Sequence, residues 1–329
     1  RQRQMCIRDR MTGMEQGPVM SHQVLPTWLP DAVAGSEGRP LFLVVIDNLR
    51  WDQWRAIAPV LSDDWNITEE KTYLSLLPTA TQYARNALFA GMTPAEIARV
   101  MPDCWVDESA EGSKNAHEAK LQQALFHRMG VEGKTAYHKI TSLEAGKRLA
   151  DRFHEQKGQS VTTVVYNFVD MLSHARSEME VIKELADDEA AYRSLTHSWF
   201  VHSPLKDMLD AMAEMGGRVV LTTDHGTMRV DHPVEVRGDR ATNANLRYKV
   251  GRNLGYNADE VMEVMQPDKV GLPKPNVSST YIFAKTRDFL VYPNNASHYV
   301  KTFRNSFQHG GVSMEEMIIP WVVLDPKNT

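Results

Sequence analysis

Several side chains with metal-binding chemistry follow strand-like segments of this chain. Three apolar runs, "PLFLVVID", "VTTVVYNFVD" and "RVVLTTD", each end in an aspartate. A histidine follows one aspartate directly and another after four residues, and a further histidine precedes two glycines in "FQHGGVS". Ligands of open α/β sheets bind beyond the carboxyl ends of the strands, so we expect these groups to meet at one edge of a sheet. The residues are Asp47, Asp170, His174, Asp224, His225 and His309.

A cluster of this composition predicts bound metal ions. Three carboxylates and three imidazoles are costly to bury together unless a cation compensates their charge. Mixed oxygen and nitrogen ligands suit zinc, with manganese or iron as alternatives, better than calcium or magnesium. A catalytic zinc usually takes about three ligands from the protein, so six ligands favour two zinc ions roughly 4 Å apart. Paired sites of that kind serve phosphoryl chemistry, which makes a phosphate ester the expected substrate.

Strand-like and helix-like segments alternate along the chain and would position these ligands. Strand-like runs lie at 40–47, 72–79, 161–170, 218–223, 277–292 and 317–325. Helix-like segments lie at 81–90, 116–129 and 142–157, and further ones begin near 94, 181 and 204. This alternation predicts an α/β fold with a doubly wound, mostly parallel sheet flanked by helices.

Composition narrows the class of protein. The formal net charge of −5 gives no reason to expect wholesale binding of nucleic acid or anionic lipid. Two cysteines are too few for a disulfide framework, and no apolar run reaches the roughly 18 residues of a membrane span. We therefore expect a cytoplasmic protein with no membrane partner. We interpret residues 1–10 as a cloning or sequencing scar, 11–39 as a linker and 40–329 as the catalytic domain.

Five motifs, in the same order, resemble the alkaline phosphatase superfamily and, within it, the PglZ-domain branch. They are "VVIDNLRWDQW", "LLPTATQYARNALFAG", "FVDMLSHARSE", "LTTDHGT" and "FQHGGVSMEEMIIP". The similarity covers residues 40–329. Through "GDRATNANLRYKVGRNLGY" it extends to the effector half of PorX-type response regulators of type IX secretion. This resemblance implies an alkaline-phosphatase-like fold and a metal-dependent phosphodiesterase or phosphatase.

The resemblance also divides the ligands between two ions. One ion would be held by Asp170, His174 and His309, and the other by Asp47, Asp224, His225 and the oxygen of the nucleophile. That nucleophile should be a serine or threonine at the N-terminus of a helix, where unpaired backbone N–H groups can receive the transferred phosphoryl group.

Two threonines compete for the role of nucleophile. In the related nucleotide pyrophosphatase branch the nucleophile stands ten residues before the glycine that closes its helix, and Thr81 stands ten residues before Gly91. This spacing favours Thr81 over Thr79 as both nucleophile and metal ligand. Thr81 would attack phosphorus, and water would then hydrolyse the phosphothreonine.

Candidate substrate-binding residues lie beside the ligands and in a basic segment. The related branch places an asparagine three residues after the nucleophile, where this chain has Ala84, so Arg85 or Asn86 is the expected substitute. The segment 229–252 contains six basic and three acidic residues, which would either contact extra phosphates or form a solvated loop with local salt bridges. The candidates are Asn48, Arg50, Arg85, Asn86, Arg240, Arg247 and Lys249.

The resemblance implies partners beyond this chain. Regulators of this type have an upstream receiver domain whose phosphorylation promotes dimerisation. We therefore expect a missing receiver domain, a homodimer on activation, and a sigma factor or secretion-system component as a partner. The expected substrate is a nucleotide or short oligonucleotide phosphodiester. The alternative is a non-enzymatic effector module whose structural zinc site binds a nucleotide signal, but a retained nucleophile favours the enzyme.

Overall fold

The computed structural model describes residues 17–108, 110, 112–167, 188–239 and 242–327. Within them the helices are α1 (Ser21–Ala34), α2 (Trp51–Ile57), α3 (Thr81–Ala90), α4 (Pro94–Val100), α5 (Glu118–Met129), α6 (Leu143–Ala150), α7 (Glu189–Val201), α8 (Pro204–Glu214), α9 (Ala296–Phe303) and α10 (Met314–Met317). The strands are β1 (Leu41–Ile46), β2 (Trp65–Leu74), β3 (Thr135–Ile140), β4 (Val161–Tyr166), β5 (Arg218–Thr222), β6 (Met228–Arg229), β7 (His232–Glu235), β8 (Tyr248–Gly251), β9 (Val261–Val264), β10 (Thr280–Ala284), β11 (Asp288–Val291), β12 (Phe307–Gln308) and β13 (Ile318–Pro326).

A six-stranded sheet has the strand order β2-β13-β5-β1-β4-β3. Strand β1 pairs in parallel with both β4 and β5, and β3 pairs in parallel with β4. Strand β13 adds to β5 in the antiparallel direction. Strands β1 and β4 are buried along their whole length, as their β-branched and apolar composition predicts for strands covered on both faces. The predicted α/β fold with a mostly parallel sheet flanked by helices is confirmed.

The chain divides into two compact units. The first contains residues 74–126 and 227–317 together with the chain before Leu25, and the second contains residues 25–73, 127–226 and 318–329. The six-stranded sheet belongs to the second unit, while the first contains α3 and three small sheets, β8-β10-β9, β11-β7 and β12-β6. The segment 40–329 was predicted as one domain, but its two units alternate along the chain. The chain passes from the large sheet into the first unit after β2, returns, and passes into the first unit again after β5.

Helix α1 lies inside the segment that we interpreted as a linker, and that interpretation is wrong for this helix. Leu25 and Leu29 are fully buried and lie one helical turn apart. The Trp28 ring packs edge-on against Tyr73 and Trp321, with centroid distances of 6.3 and 5.6 Å. Two prolines inside the helix hide this apolar face in the sequence, because proline usually interrupts a helix.

Other predicted elements differ mainly at their ends. Helix α3 spans the residues predicted for it, and serine caps begin α6 and α8: Ser142 Oγ accepts the Ala145 N–H at 3.2 Å and Ser203 Oγ accepts the Lys206 N–H at 3.3 Å. Of the strand predicted at 72–79, residues 72–74 are the end of β2, whose exposed, charged residues obscured its start, and residues 75–79 are not in a strand. Strands β10 and β11 both form but pair with other strands. No helix in the described part of the chain is long and apolar enough to cross a membrane.

Candidate functional site

The carboxyl ends of β1 and β5 bring together three predicted metal ligands of the second unit. Val45 pairs with Thr222 in the parallel register, so Asp47 and Asp224, each two residues further along, lie side by side. His225 follows directly. One ligand atom from each of Asp47, Asp224 and His225 lies within 4.8 Å of the other two, and all three side chains are buried.

The Asp224 carboxylate is oriented by backbone donors. Its Oδ1 accepts the N–H of His225 at 3.0 Å and the N–H of Asn48 at 3.3 Å. Asn48 has a φ of 63°, a left-handed conformation that asparagine tolerates better than most residues. The turn after β1 therefore directs a peptide N–H at the carboxylate that ends β5.

The imidazole of His225 is oriented toward the same carboxylate. Its Nδ1 lies 3.1 Å from the carbonyl oxygen of Gly226, so Nδ1 carries the proton in that hydrogen bond. Its Nε2 lies 3.6 Å from Asp224 Oδ2. A hydrogen bond of this kind fixes the tautomer of many metal-binding histidines.

The donor set fits a divalent cation. Two buried carboxylates and an imidazole present oxygen and nitrogen atoms to one point, and the charge of the carboxylates is costly to bury without a cation. Zinc and manganese both accept such mixed ligands. Asp47, Asp224 and His225 would hold the ion.

The neutral hydroxyl of Tyr73 forms hydrogen bonds at the end of β5. Its hydroxyl donates to the carbonyl oxygen of Thr223 and accepts from Thr222 Oγ1 at 3.2 Å. Burial raises the pKa of Tyr73 far above its ordinary value, and the Asp224 carboxylate adds to that effect. The phenol therefore stays protonated and acts as a hydrogen-bond donor behind the cluster.

Thr81 and Thr79 lie in the first unit and differ in environment. Thr81 is the first residue of α3, after an extended N-cap at Ala80, as the sequence predicts. Thr79 is fully buried: its hydroxyl accepts the Gly310 N–H at 3.0 Å and donates to the Gly311 carbonyl oxygen at 2.9 Å. The Thr79 hydroxyl is therefore both donor and acceptor to the loop that contains His309, and Thr81 as the nucleophile stays a prediction.

His309 is half-buried in the loop after β12. Its Nδ1 donates a hydrogen bond to the carbonyl oxygen of Thr79 at 3.2 Å. The two ligands predicted to share an ion with His309, Asp170 and His174, lie outside the described residues, as does Arg240.

Arg85 and Asn86 have structural partners within the first unit. Arg85 Nε donates to Glu118 Oε1 at 2.7 Å, and both side chains are almost completely buried. Asn86 Nδ2 donates to the carbonyl oxygen of Lys114 at 3.1 Å. Arg85 therefore forms an internal ion pair through Nε, and its predicted contact with the substrate phosphate stays a prediction. These two contacts join α3 to the first residue of α5 and to the segment before it.

Arg247 and Lys249 are also interior residues. Arg247 forms a bidentate pair with Glu316, in which both side chains are fully buried. Lys249 Nζ donates to the Asn243 carbonyl oxygen at 3.1 Å and lies 4.4 Å from the centre of the Tyr292 ring. Burial lowers the pKa of Lys249 to about 7. Neither cation is exposed to a phosphate, so their prediction as substrate-binding residues is corrected.

Arg50 and Asn48 follow β1 in the second unit. The Arg50 guanidinium contacts the carboxylates of Asp52 and Glu189, an arrangement that links α2 to α7 and opposes the predicted substrate contact. The backbone N–H of Asn48 contacts Asp224 in the candidate metal cluster. It is the predicted substrate-binding residue that the structure places next to Asp224.

Comparison with known families identifies the fold. Residues 26–324 match the family described as the BREX system PglZ alkaline phosphatase-like domain. The chain belongs to this PglZ family. The predictions of the alkaline phosphatase superfamily, its PglZ branch and a phosphoester hydrolase are confirmed.

Solved structures with the same fold as this PglZ domain share little sequence with it. Murine ectonucleotide pyrophosphatase/phosphodiesterase 5 matches with a TM-score of 0.55 and 11% identity, over 86% of this chain and 88% of that one. Phosphonoacetate hydrolase from Sinorhizobium meliloti 1021, in complex with phosphonoformate, matches with a TM-score of 0.54 and 11% identity, over 87% and 90%. No curated protein sequence is a significant match.

Sequence reasoning missed the residues that support the ligands of the PglZ domain. Thr223 Oγ1 accepts the Leu49 N–H at 3.1 Å, which joins the turn after β1 to the end of β5. Glu316 Oε1 accepts the Gly311 N–H at 2.8 Å, close to His309 in the chain. Thr223 lies in the motif "LTTDHGT" and Glu316 in "FQHGGVSMEEMIIP". The sequence signal that could have identified them is a polar residue inside a motif that also contains a predicted ligand.

Proposed function

We propose that this PglZ domain is a two-zinc phosphodiesterase that acts on a nucleotide or short oligonucleotide phosphodiester. The observation that carries the proposal is the buried cluster of Asp47, Asp224 and His225 at adjacent strand ends. Family membership gives the coarser function, a phosphoester hydrolase. The cluster supports the dependence on metal, and its mixed oxygen and nitrogen donors support zinc.

The chain's own residues have separable roles in this proposal. Asp47, Asp224 and His225 bind the cation, which would supply positive charge to stabilise developing negative charge on the reacting oxygens. The Thr81 hydroxyl loses its proton to solvent as its oxygen forms a bond to phosphorus, the bond from phosphorus to the leaving-group oxygen breaks, and the leaving-group oxygen takes a proton from solvent to become the alcohol. The first-turn N–H groups of α3 bind the transferred phosphoryl group. Water then attacks phosphorus and regenerates the Thr81 hydroxyl.

The nucleotide preference rests on likeness to other proteins. The sequence resembles regulators expected to act on nucleotide diesters, and one structural relative is an ectonucleotide pyrophosphatase/phosphodiesterase. Among the described residues, Arg85, Arg247 and Lys249 lie in the interior, so in this proposal metal and backbone N–H groups bind the substrate's phosphates. That arrangement favours a small substrate over a long polyanion.

The regulatory part of the proposal rests on the sequence resemblance alone. In it the domain is the effector of a type IX secretion response regulator. A receiver domain, a homodimer on activation and a sigma factor or secretion component are its expected partners.

The test compares hydrolysis of bis-p-nitrophenyl phosphate and p-nitrophenyl phosphate by zinc-loaded and EDTA-treated protein. Asp47→Asn removes one ligand charge, and Asp63→Asn changes an exposed aspartate of the same unit as a matched control. We expect diester turnover that EDTA and Asp47→Asn abolish and Asp63→Asn retains. Zinc-loaded protein that binds the metal and hydrolyses neither ester would instead support the non-enzymatic signal-binding module.

A further inference from the structure

The loop that contains His309 is held from two sides within the first unit. On one side, the Thr79 hydroxyl accepts the Gly310 N–H at 3.0 Å and donates to the Gly311 carbonyl oxygen at 2.9 Å. On the other, Glu316 Oε1 accepts the Gly311 N–H at 2.8 Å. The polar backbone groups of two successive residues are therefore bound by two buried side chains.

Glu316 is itself held by a buried cation. Arg247 donates from Nε to Oε1 at 3.1 Å and from Nη2 to Oε2 at 2.6 Å. Its Nη1 donates to the carbonyl oxygens of Lys285 and Asp288. A buried pair of this kind adds little net stability compared with apolar residues, but removing one partner leaves an uncompensated charge. Its geometric effect is to hold Glu316 in one position.

The two glycines make this close contact possible. Gly310 has a φ of 119°, a conformation that other residues rarely adopt. A Cβ on Gly311 would lie 2.7 Å from the carbonyl oxygen of Ala284 and 2.7 Å from Arg247 Nη2. The loop therefore fits against Arg247 only with glycine at both positions.

The same contacts reach the start of α3. Thr79 stands two residues before Thr81, and its carbonyl oxygen accepts a hydrogen bond from His309 Nδ1 at 3.2 Å. The side chain of Thr79 thus holds the loop, while its backbone orients the imidazole of that loop. A displacement of Glu316 or Thr79 would shift both His309 and the first turn of α3.

We propose that Thr79, Glu316 and Arg247 form a positioning clamp that orients His309 as a metal ligand and aligns the Thr81 end of α3. This inference rests on the proposed function and deepens it. The three residues act through Gly310 and Gly311 and do not contact the substrate. In this assignment Thr79 is a positioning residue and Thr81 is the nucleophile.

The test distinguishes the effect of the Thr79 hydroxyl from the effect of the shape of the Thr79 side chain. Thr79→Val keeps the shape and removes the hydroxyl, and Thr79→Ser retains the hydroxyl. The dissociation constant for zinc alone is measured on the full chain by competition with a chromophoric chelator, and the absorption spectrum of cobalt-loaded protein reports the geometry of the bound ion. We expect Thr79→Val to weaken zinc binding by about 10-fold to 100-fold and to change the spectrum, and Thr79→Ser to restore both.

Two further variants complete the design. Thr93→Val removes a hydroxyl from the N-cap of α4 in the same unit and should leave zinc binding unchanged. Glu316→Gln keeps an oxygen for the Gly311 N–H but removes the charge that Arg247 binds, so it should weaken zinc binding in the same direction. If Thr79→Val does not fold, the zinc affinity of Glu316→Gln tests the clamp. Folded Thr79→Val and Glu316→Gln proteins with wild-type zinc affinity and cobalt spectra would overturn the clamp.

The clamp and the proposed function fail in different ways. Wild-type protein that binds zinc but hydrolyses no diester would remove the phosphodiesterase. The clamp would still be supported if Thr79→Val weakened zinc binding, because that measurement needs no turnover. Conversely, an active wild type with an equally active and equally zinc-binding Thr79→Val variant would remove the clamp and keep the enzyme.

Discussion

Asp47 and Asp224 occupy equivalent positions on adjacent parallel strands, two residues beyond the paired residues Val45 and Thr222. Two carboxylates are thereby forced together in the interior, where like charges repel strongly. The relationship follows from strand register and would be lost if either strand shifted by one residue, because neighbouring side chains point to opposite faces of a sheet. A bound cation would offset the charge of both carboxylates at this edge.

Asp224→Asn should relieve that repulsion. The amide oxygen can still accept the N–H groups of Asn48 and His225, while one buried charge disappears. We expect metal-free Asp224→Asn to be more stable than wild type by about 0.5–2 kcal/mol. Wild type should gain about 2.7 kcal/mol from zinc at a concentration 100-fold above its dissociation constant, and the variant much less. Urea unfolding with EDTA or with zinc measures both, and equal zinc stabilisation of the two proteins would contradict the cluster.

Thr81→Ala should abolish turnover and leave the protein folded. The variant lacks the oxygen that forms the bond to phosphorus, so kcat on bis-p-nitrophenyl phosphate should fall by about 1,000-fold or more. Thr81→Ser retains a hydroxyl and should keep measurable activity. Steady-state kinetics of zinc-loaded proteins provides the comparison, and a fully active Thr81→Ala variant would exclude Thr81 as the nucleophile.

Lys249 should make stability depend on pH. Burial lowers the pKa of Lys249 to about 7 from an ordinary value of 10.5. Between these values the unfolded chain binds a proton that the folded protein does not, so the free energy of unfolding should rise with pH across this window. Lys249→Met should flatten that rise and stabilise the protein at about pH 6, by on the order of a few kcal/mol. Urea unfolding across the pH range tests this, with the exposed Lys120→Met as control; a Lys249→Met profile parallel to wild type would refute it.

Leu29→Ala should distinguish a packed helix from a linker. Leu29 is fully buried in α1, so its truncation should reduce the free energy of unfolding by about 2–5 kcal/mol. Leu143→Ala, at a leucine with 57% exposure, should change it by less than about 0.5 kcal/mol. Urea unfolding of both variants supplies the values. A Leu29→Ala protein as stable as the Leu143→Ala control would mean that α1 contributes no packing.

Local patterns in the sequence predicted much of the site. The apolar runs of β1 and β5 end at Asp47 and Asp224, and parallel pairing of those strands is sufficient to bring the carboxylates together. The start of α3 at Thr81 was also predictable from the helical pattern over 81–90, and Gly91 closes the helix in a left-handed conformation. These features depend on residues close in sequence or on strand ends, where position along the chain determines position in the sheet.

The roles of the basic residues were not predictable in this way. Arg85, Arg247 and Lys249 have the composition of a phosphate-binding surface, but their partners are Glu118, Glu316 and a backbone carbonyl group. Two of these partners lie 33 and 69 residues away in the chain. Whether a basic side chain forms an internal ion pair or remains on the surface depends on whether a carboxylate distant in sequence packs against it.

The sequence by itself determined the α/β class, the strand ends that hold Asp47, Asp224 and His225, and the helix that begins at Thr81. Only the tertiary structure decided that α1 packs as a helix, that the basic residues are interior, and that Thr79 and Glu316 hold the His309 loop. The physical reason is the separation along the chain of the residues that interact. Periodicity and caps act over a few residues and are visible along the chain, whereas burial and ion pairing depend on contacts between segments that are distant in sequence.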